Sequence, residues 1–238
     1  MRRIVLKQLL MLMTPKAAPT VVRLILDDAQ ASMANVPQPS TARGSITTGS
    51  KLTRTTGGTG KFGTSYFDLL CDDALEHDFL VALPGSDDWP AGIGSSGDFT
   101  FSSWLKQGPS YGSPGAWWVL GVGTGDNCFL KVNDNVLYAT LSDNIEYGSG
   151  TSFSSATDWK HFACVRQAGK VSTWYDGARK INQQSDATDF DALTRIFLGS
   201  SAGTSRGSVL IDDWVLMSGA KWNVADATIT VPTASLQT

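Results

Sequence analysis

The sequence predicts an all-β protein built from antiparallel strands, and three observations carry that prediction. Short stretches rich in Val, Ile, Thr and aromatic residues recur from residue 20 onward, many of them alternating apolar and polar. Gly, Pro, Asn and Asp clusters separate them at intervals of roughly 8–15 residues, the punctuation of a sandwich or barrel. Helical periodicity is missing from the body of the chain, where a single turn over 189–193 is the one credible helix.

Strands are expected over residues 21–26, 66–70, 79–83, 99–106, 117–122, 129–132, 136–141, 160–166, 170–175, 196–199 and 208–217, with weaker pieces at 44–47 and 51–55. That makes roughly a dozen strands, with helix far below the base rate of about 30%. The turn signals include Pro84-Gly85, Pro114-Gly115 and Asn133-Asp134-Asn135. Asp176-Gly177 suits a type I′ hairpin turn, because both residues tolerate positive φ. In Phe99-Thr100-Phe101-Ser102-Ser103-Trp104 alternation puts Phe99 and Phe101 on the core face and Trp104 on the other, which calls for a bulge or for a strand covered on both sides. Phe99, Phe101, Phe162, Cys164 and Trp214 are expected in the core.

A chain of 238 residues buries roughly 70–75% of its surface on folding, enough to dispense with a metal or disulfide staple. No repeat or second core is visible, so residues 20–238 are expected to form one domain, preceded by an arm over 1–19. The whole chain carries −3 and the arm +4 (Arg2, Arg3, Lys7 and Lys16), leaving −7 for the rest. An acidic body is a poor partner for nucleic acid. Cys71, Cys128 and Cys164 are odd in number and lack metal-ligand spacing, which fits assembly in a reducing cytoplasm.

The arm, MRRIVLKQLLMLMTPKAAP, imitates a secretion signal, but Lys7 and Gln8 leave an uninterrupted apolar core from Leu9 to Met13, shorter than the roughly 7–15 residues such signals need. It is expected to remain as a basic-apolar arm able to form a short helix over 3–13, packed on its own body or on a partner. Nothing approaches the ~18 apolar residues of a membrane span.

Several stretches resemble the laminin-G-like jelly rolls, especially those common in bacteriophage virion genes. Lys61-Phe62-Gly63-Thr64-Ser65-Tyr66-Phe67-Asp68 is similar to one family strand, and Gly97-Asp98-Phe99-Thr100 running to Trp104-Leu105-Lys106 to its most recognisable one. Trp159, His161, Ala163 and Arg166, followed by Trp174-Tyr175-Asp176-Gly177, resemble its paired strands. Ile196 to Gly199 and Val209-Leu210-Ile211-Asp212-Asp213-Trp214 resemble the closing strands. The match runs in order over about residues 20–222, departing at an acidic insertion (71–78) and a long polar stretch after Asp28. It implies an antiparallel β-sandwich, a jelly roll of the concanavalin A-like class.

Glycosidases on this architecture use a pair of carboxylates spaced for nucleophile and acid. This chain has two glutamates, Glu76 and Glu146, far apart in sequence, and Asp212-Asp213 are expected on opposite faces of a strand. No catalytic residue is therefore assigned, and no enzyme activity is expected. His77 and His161 lack metal-ligand spacing, and His161 reads as structural. The resemblance implies calcium held between loops by hard oxygen ligands, for which Asp126, Asn127, Asp134 and Asp143 are the candidates; the competing reading is solvated turn residues, with no cofactor. Trp117-Trp118 is the candidate aromatic platform for a ligand, one indole facing inward and the other out.

The resemblance, the arm and the absence of a disulfide framework together imply a non-enzymatic structural protein of a tailed-phage virion, displayed on capsid or tail. Expected partners are other virion proteins reached through the arm, a second copy of the chain, and a glycan or host surface. Two alternatives stay open: a receptor-binding fibre component, and an exported, extracellular carbohydrate-binding adhesin.

Overall fold

The computed structural model describes residues 23–26, 33–36, 45–48, 52–71, 77–82, 97–108, 117–122, 128–133, 136–140, 146–152, 158–187, 195–200 and 207–236, with side chains described within 55–69, 97–108, 158–187 and 209–236. The arm over 1–19 and the single helical turn expected at 189–193 lie outside them. The described elements are all strands: β1 (Arg23–Leu26), β2 (Met33–Val36), β3 (Ser45–Thr48), β4 (Leu52–Thr56), β5 (Ser65–Cys71), β6 (His77–Ala82), β7 (Phe99–Gln107) and β8 (Trp117–Val122). They continue with β9 (Cys128–Asn133), β10 (Val136–Thr140), β11 (Glu146–Ser152), β12 (Lys160–Gln167), β13 (Lys170–Tyr175), β14 (Ala178–Ser185), β15 (Arg195–Ser200) and β16 (Gly207–Ser218).

These strands build an antiparallel β-sandwich. A nine-stranded sheet runs β14-β13-β12-β7-β16-β1-β2, with β5 also paired to β16 and β4 to β5. A seven-stranded sheet runs β11-β10-β9-β8-β15-β6-β3. Three described strands go beyond the sequence expectation. β2 is very short. β11 (EYGSGTS) and β14 (ARKINQQS) are glycine-rich or polar and close one edge of each sheet, where alternation of apolar residues is not demanded.

Hairpins fix the register of the nine-stranded sheet. Tyr175 pairs with Ala178 across Asp176-Gly177, whose φ angles of 51° and 83° are those of the predicted type I′ turn. Gln167 pairs with Lys170 across Ala168-Gly169 in the same manner, with φ of 51° and 70°.

The Phe99–Trp104 stretch resolves as a strand covered on both sides. Phe99 through Leu105 are all buried, and β7 runs beside β12 without a slip. The bulge falls on β16 instead. Between Asp212↔Trp104 and Val215↔Ser102 it carries one extra residue, with Asp213 at φ 50°. One face of the sheet, turned to the sandwich interior, holds Phe67, Phe99, Phe101, Phe162, Cys164 and Trp214, each at most 2% exposed. Phe101 and Trp214 meet edge to face at 5.5 Å. All five expected core residues are buried there.

The opposite face is covered by residues 219–236, a segment that carries no strand pattern. Its Val224 and Ile229 join Ala163, Val165 and Trp174 in one apolar cluster, flanked by Ala220 and Trp222, and Leu236 covers Val215 and Met217. Hydrogen bonds tie it down: Ser172 Oγ donates to Val224 O at 2.7 Å, Trp174 Nε1 to Asp226 O at 3.1 Å, and Ile229 N to Gly177 O at 2.8 Å. Without this cover a central strand would present large aromatic side chains to water.

Candidate functional site

The aspartates and the histidine of the sequence motifs converge on the covered face of the nine-stranded sheet. Asp212 on β16 lies one strand from Trp104 on β7 and two from His161 on β12, in a single row. Its Oδ2 accepts the backbone N–H of Lys61 at 2.6 Å and of Phe62 at 3.0 Å, while Oδ1 accepts that of Asp213 at 2.7 Å. Burial pushes its pKa up, and those three donors pull it partway back. The carboxylate thus pins the loop over 57–64 on the sheet. Lys61 then sets its Nζ 3.8 Å from the Trp104 ring centre, and Phe62 meets the same ring edge on at 5.8 Å.

The bulge brings Asp213 to the same face, a correction to the expectation that strand alternation sends the two aspartates to opposite sides. Asp213 Oδ1 accepts from Ser235 Oγ at 2.5 Å and from Leu236 N at 2.9 Å. One aspartate holds the loop and its neighbour holds the C-terminal segment.

His161 is fully buried between the rings of Trp104 (5.2 Å) and Trp222 (5.8 Å). Its Nε2 is hydrogen-bonded to Ser102 Oγ at 2.9 Å. Burial lowers its pKa to about 4; Asp176 opposes the shift and Lys61 adds to it, so the ring is neutral at pH 7. Among the described residues its Nδ1 and the Nε1 of Trp104 have no hydrogen-bond partner. Arg166, the last motif residue, is buried on the interior face. It donates to Asp186 Oδ2 at 3.1 Å and to Gly97 O at 2.8 Å, with its guanidinium 5.1 Å from the Phe99 ring centre. Each of these groups is engaged in holding segments of the fold together.

The other candidates fall differently. Trp117 and Trp118 open β8, a central strand of the seven-stranded sheet, where Trp117 pairs with Val132 and Ser200, and Trp118 with Lys131 and Gly199. Their side chains lie outside the described residues. So do Asp126, Asn127, Asp134, Asp143 and Glu76, and the side chains of His77 and Glu146. β8 to β11 form a meander, so the strand ends flanking residues 123–127 and 141–145 lie at one end of the sheet, and those flanking 134–135 at the other. Among the described residues no group of three or more His, Cys, Asp or Glu is placed to hold a metal. Nor is any described helix long and apolar enough to cross a membrane.

A second feature escaped the sequence reading. Tyr66 on β5 and Trp159 at the entry to β12 are half-buried, and their rings meet with centroids 6.2 Å apart and planes at 64°. The sequence offers no signal that joins them, because they approach across the intervening β16 and β7.

No protein-family model matches the chain, and no curated protein matches its sequence. Solved structures do share its fold. The binding domain of botulinum neurotoxin serotype D superposes with a TM-score of 0.55 at 12% identity, over 84% of this chain and 47% of that one. The binding domain of botulinum neurotoxin DC in complex with rat synaptotagmin II gives 0.57 at 11%, over 84% and 48%. A Trypanosoma rangeli sialidase in complex with 2,3-difluorosialic acid gives 0.57 at 10%, over 85% and 31%. The chain therefore spans about half the length of the toxin domains and under a third of the sialidase, and at these identities the likeness is one of fold.

Proposed function

We propose that this chain is a non-catalytic recognition module whose sandwich presents a surface to a glycan or host-cell surface, displayed on the exterior of a tailed-phage virion. The observation that carries the first half is the fate of the motif residues. His161, Asp212, Asp213 and Arg166 are the groups best suited to chemistry, and each is engaged in positioning a loop, the C-terminal segment or the β12 edge. A buried neutral histidine and a carboxylate already holding three backbone donors are poorly placed to act on a substrate. The toxin neighbours support the recognition part of this reading, while the sialidase neighbour is an enzyme on the same fold. The toxin domains are receptor-binding domains, and cell entry of the serotype C toxin depends on interaction with two ganglioside molecules.

The virion half rests on the resemblance of the five motif stretches to laminin-G-like phage proteins and on the basic-apolar arm, with assembly in the host cytoplasm. The test uses the full chain. It should be retained by immobilised glycans or host envelopes and release no reducing sugar from them. Deleting residues 1–16 should leave a folded, soluble sandwich that no longer joins the assembly. Steady sugar release would overturn the non-catalytic reading. Normal assembly by the shortened chain would move the contact surface onto the sandwich, and its unfolding would make the arm part of the core.

A further inference from the structure

Tyr66 and Trp159 form a partly exposed aromatic corner against the loop over 57–60. The loop over 57–60 supports it. Trp159 Nε1 donates to Thr59 O at 3.4 Å, which orients the indole. Gly58 lies so close that a Cβ there would come within 2.6 Å of Tyr66 Cε1, so its lack of a side chain lets the backbone support the phenol ring. Gly57, at φ +77°, takes the left-handed conformation that opens this loop. Two large aromatic side chains left partly exposed, and oriented by a glycine-built loop, are the form a ligand platform takes.

The angle between the rings narrows the ligand. Planes at 64° do not form the parallel slot that grips a flat base. They do form two walls, against which a puckered ring can rest its C–H face. Asp68 lies two residues beyond Tyr66 on the same face of β5, but its Oδ1, unpaired among the described residues, is closed off from solvent, so that oxygen is not open to a ligand.

We infer that the Tyr66–Trp159 corner binds a hexose unit of a glycan, the aromatic rings stacking on the sugar. This rests on the glycan-recognition reading above and assigns it a place.

The test titrates the full chain with lactose, mannotriose and 3′-sialyllactose, read by the Trp indole N–H signals in 15N NMR and by calorimetry. The Trp159 signal, assigned by its loss in Trp159→Phe, should move on adding a neutral sugar. Trp159→Ala and Tyr66→Ala should each weaken binding by about tenfold or more, as truncating an anchoring aromatic does. Trp159→Phe should retain most of the affinity, with its thermal midpoint showing that it is folded. Neutral-sugar binding that survives both alanine substitutions would overturn the assignment and leave glycan recognition standing, with Trp117-Trp118 the next place to look. Absence of binding to all glycans would overturn this inference together with the reading it rests on.

Discussion

The carboxylate of Asp212 lies 2.6 Å from the backbone N–H of Lys61, a contact spanning 151 residues of sequence. Two motifs that the sequence shows as separate are thus one device: the late Ile211-Asp212-Asp213 run clamps the early Lys61-Phe62-Gly63 loop over Trp104. Asp212→Asn would set an amide N–H₂ against backbone donors and should cost about 2 kcal/mol, because buried donors left unpaired are expensive. Urea unfolding measures this directly. A change within a few tenths of a kcal/mol would mean that the loop is held by other contacts.

Arg166 and Asp186 form an ion pair whose side chains are both fully buried. Burial lowers the Arg166 pKa, and Asp186 opposes that shift. Removing one partner strands a buried charge, so Arg166→Met or Asp186→Leu alone should destabilise by about 3–5 kcal/mol. The double variant Arg166→Met/Asp186→Leu should recover much of that loss. A double-mutant cycle in denaturant checks it, and strict additivity of the two losses would refute the coupling.

His161 makes stability depend on pH. Its folded pKa of about 4 lies below the ordinary 6.5, so between those values the unfolded chain binds more protons than the folded one. Its contribution is complete above about pH 6.5 and is lost as pH falls through about 4, amounting to about 3 kcal/mol in all. In His161→Gln the part of the pH–stability curve between 6.5 and 4 should flatten. An unchanged slope would place the dependence on groups other than His161; the raised carboxyls of Asp68 and Asp212 contribute with the opposite sign, because there the folded chain binds the proton more tightly.

Calcium is expected to contribute little. Adding a chelator to the purified chain should leave the thermal midpoint in place, because a ligand bound only to the native state would raise it by mass action. A fall of several degrees that Asp126→Ala or Asp134→Ala abolishes would assign a calcium site to those loops. β9 alone separates the two ends of the meander by about 17 Å, so the variant that matters would also say at which end.

The sequence by itself determined the all-β class, the positions of most strands, the type I′ turn at Asp176-Gly177 and the burial of Phe99, Phe101, Phe162, Cys164 and Trp214. These follow from local rules: a side-chain period of two, and turns that demand positive φ. β11 and β14 escaped because edge strands can be polar along their length. The role of residues 219–236 escaped because an irregular cover has no period, although Trp222, Val224 and Ile229 are apolar enough to require one. What only the tertiary structure decided is which groups meet. The bulge that turns Asp212 and Asp213 to one face, the histidine wedged between Trp104 and Trp222, and the Tyr66–Trp159 corner all depend on strands being neighbours in the sheet. Sheet order brings together residues that lie far apart along the chain, and no local pattern records that order.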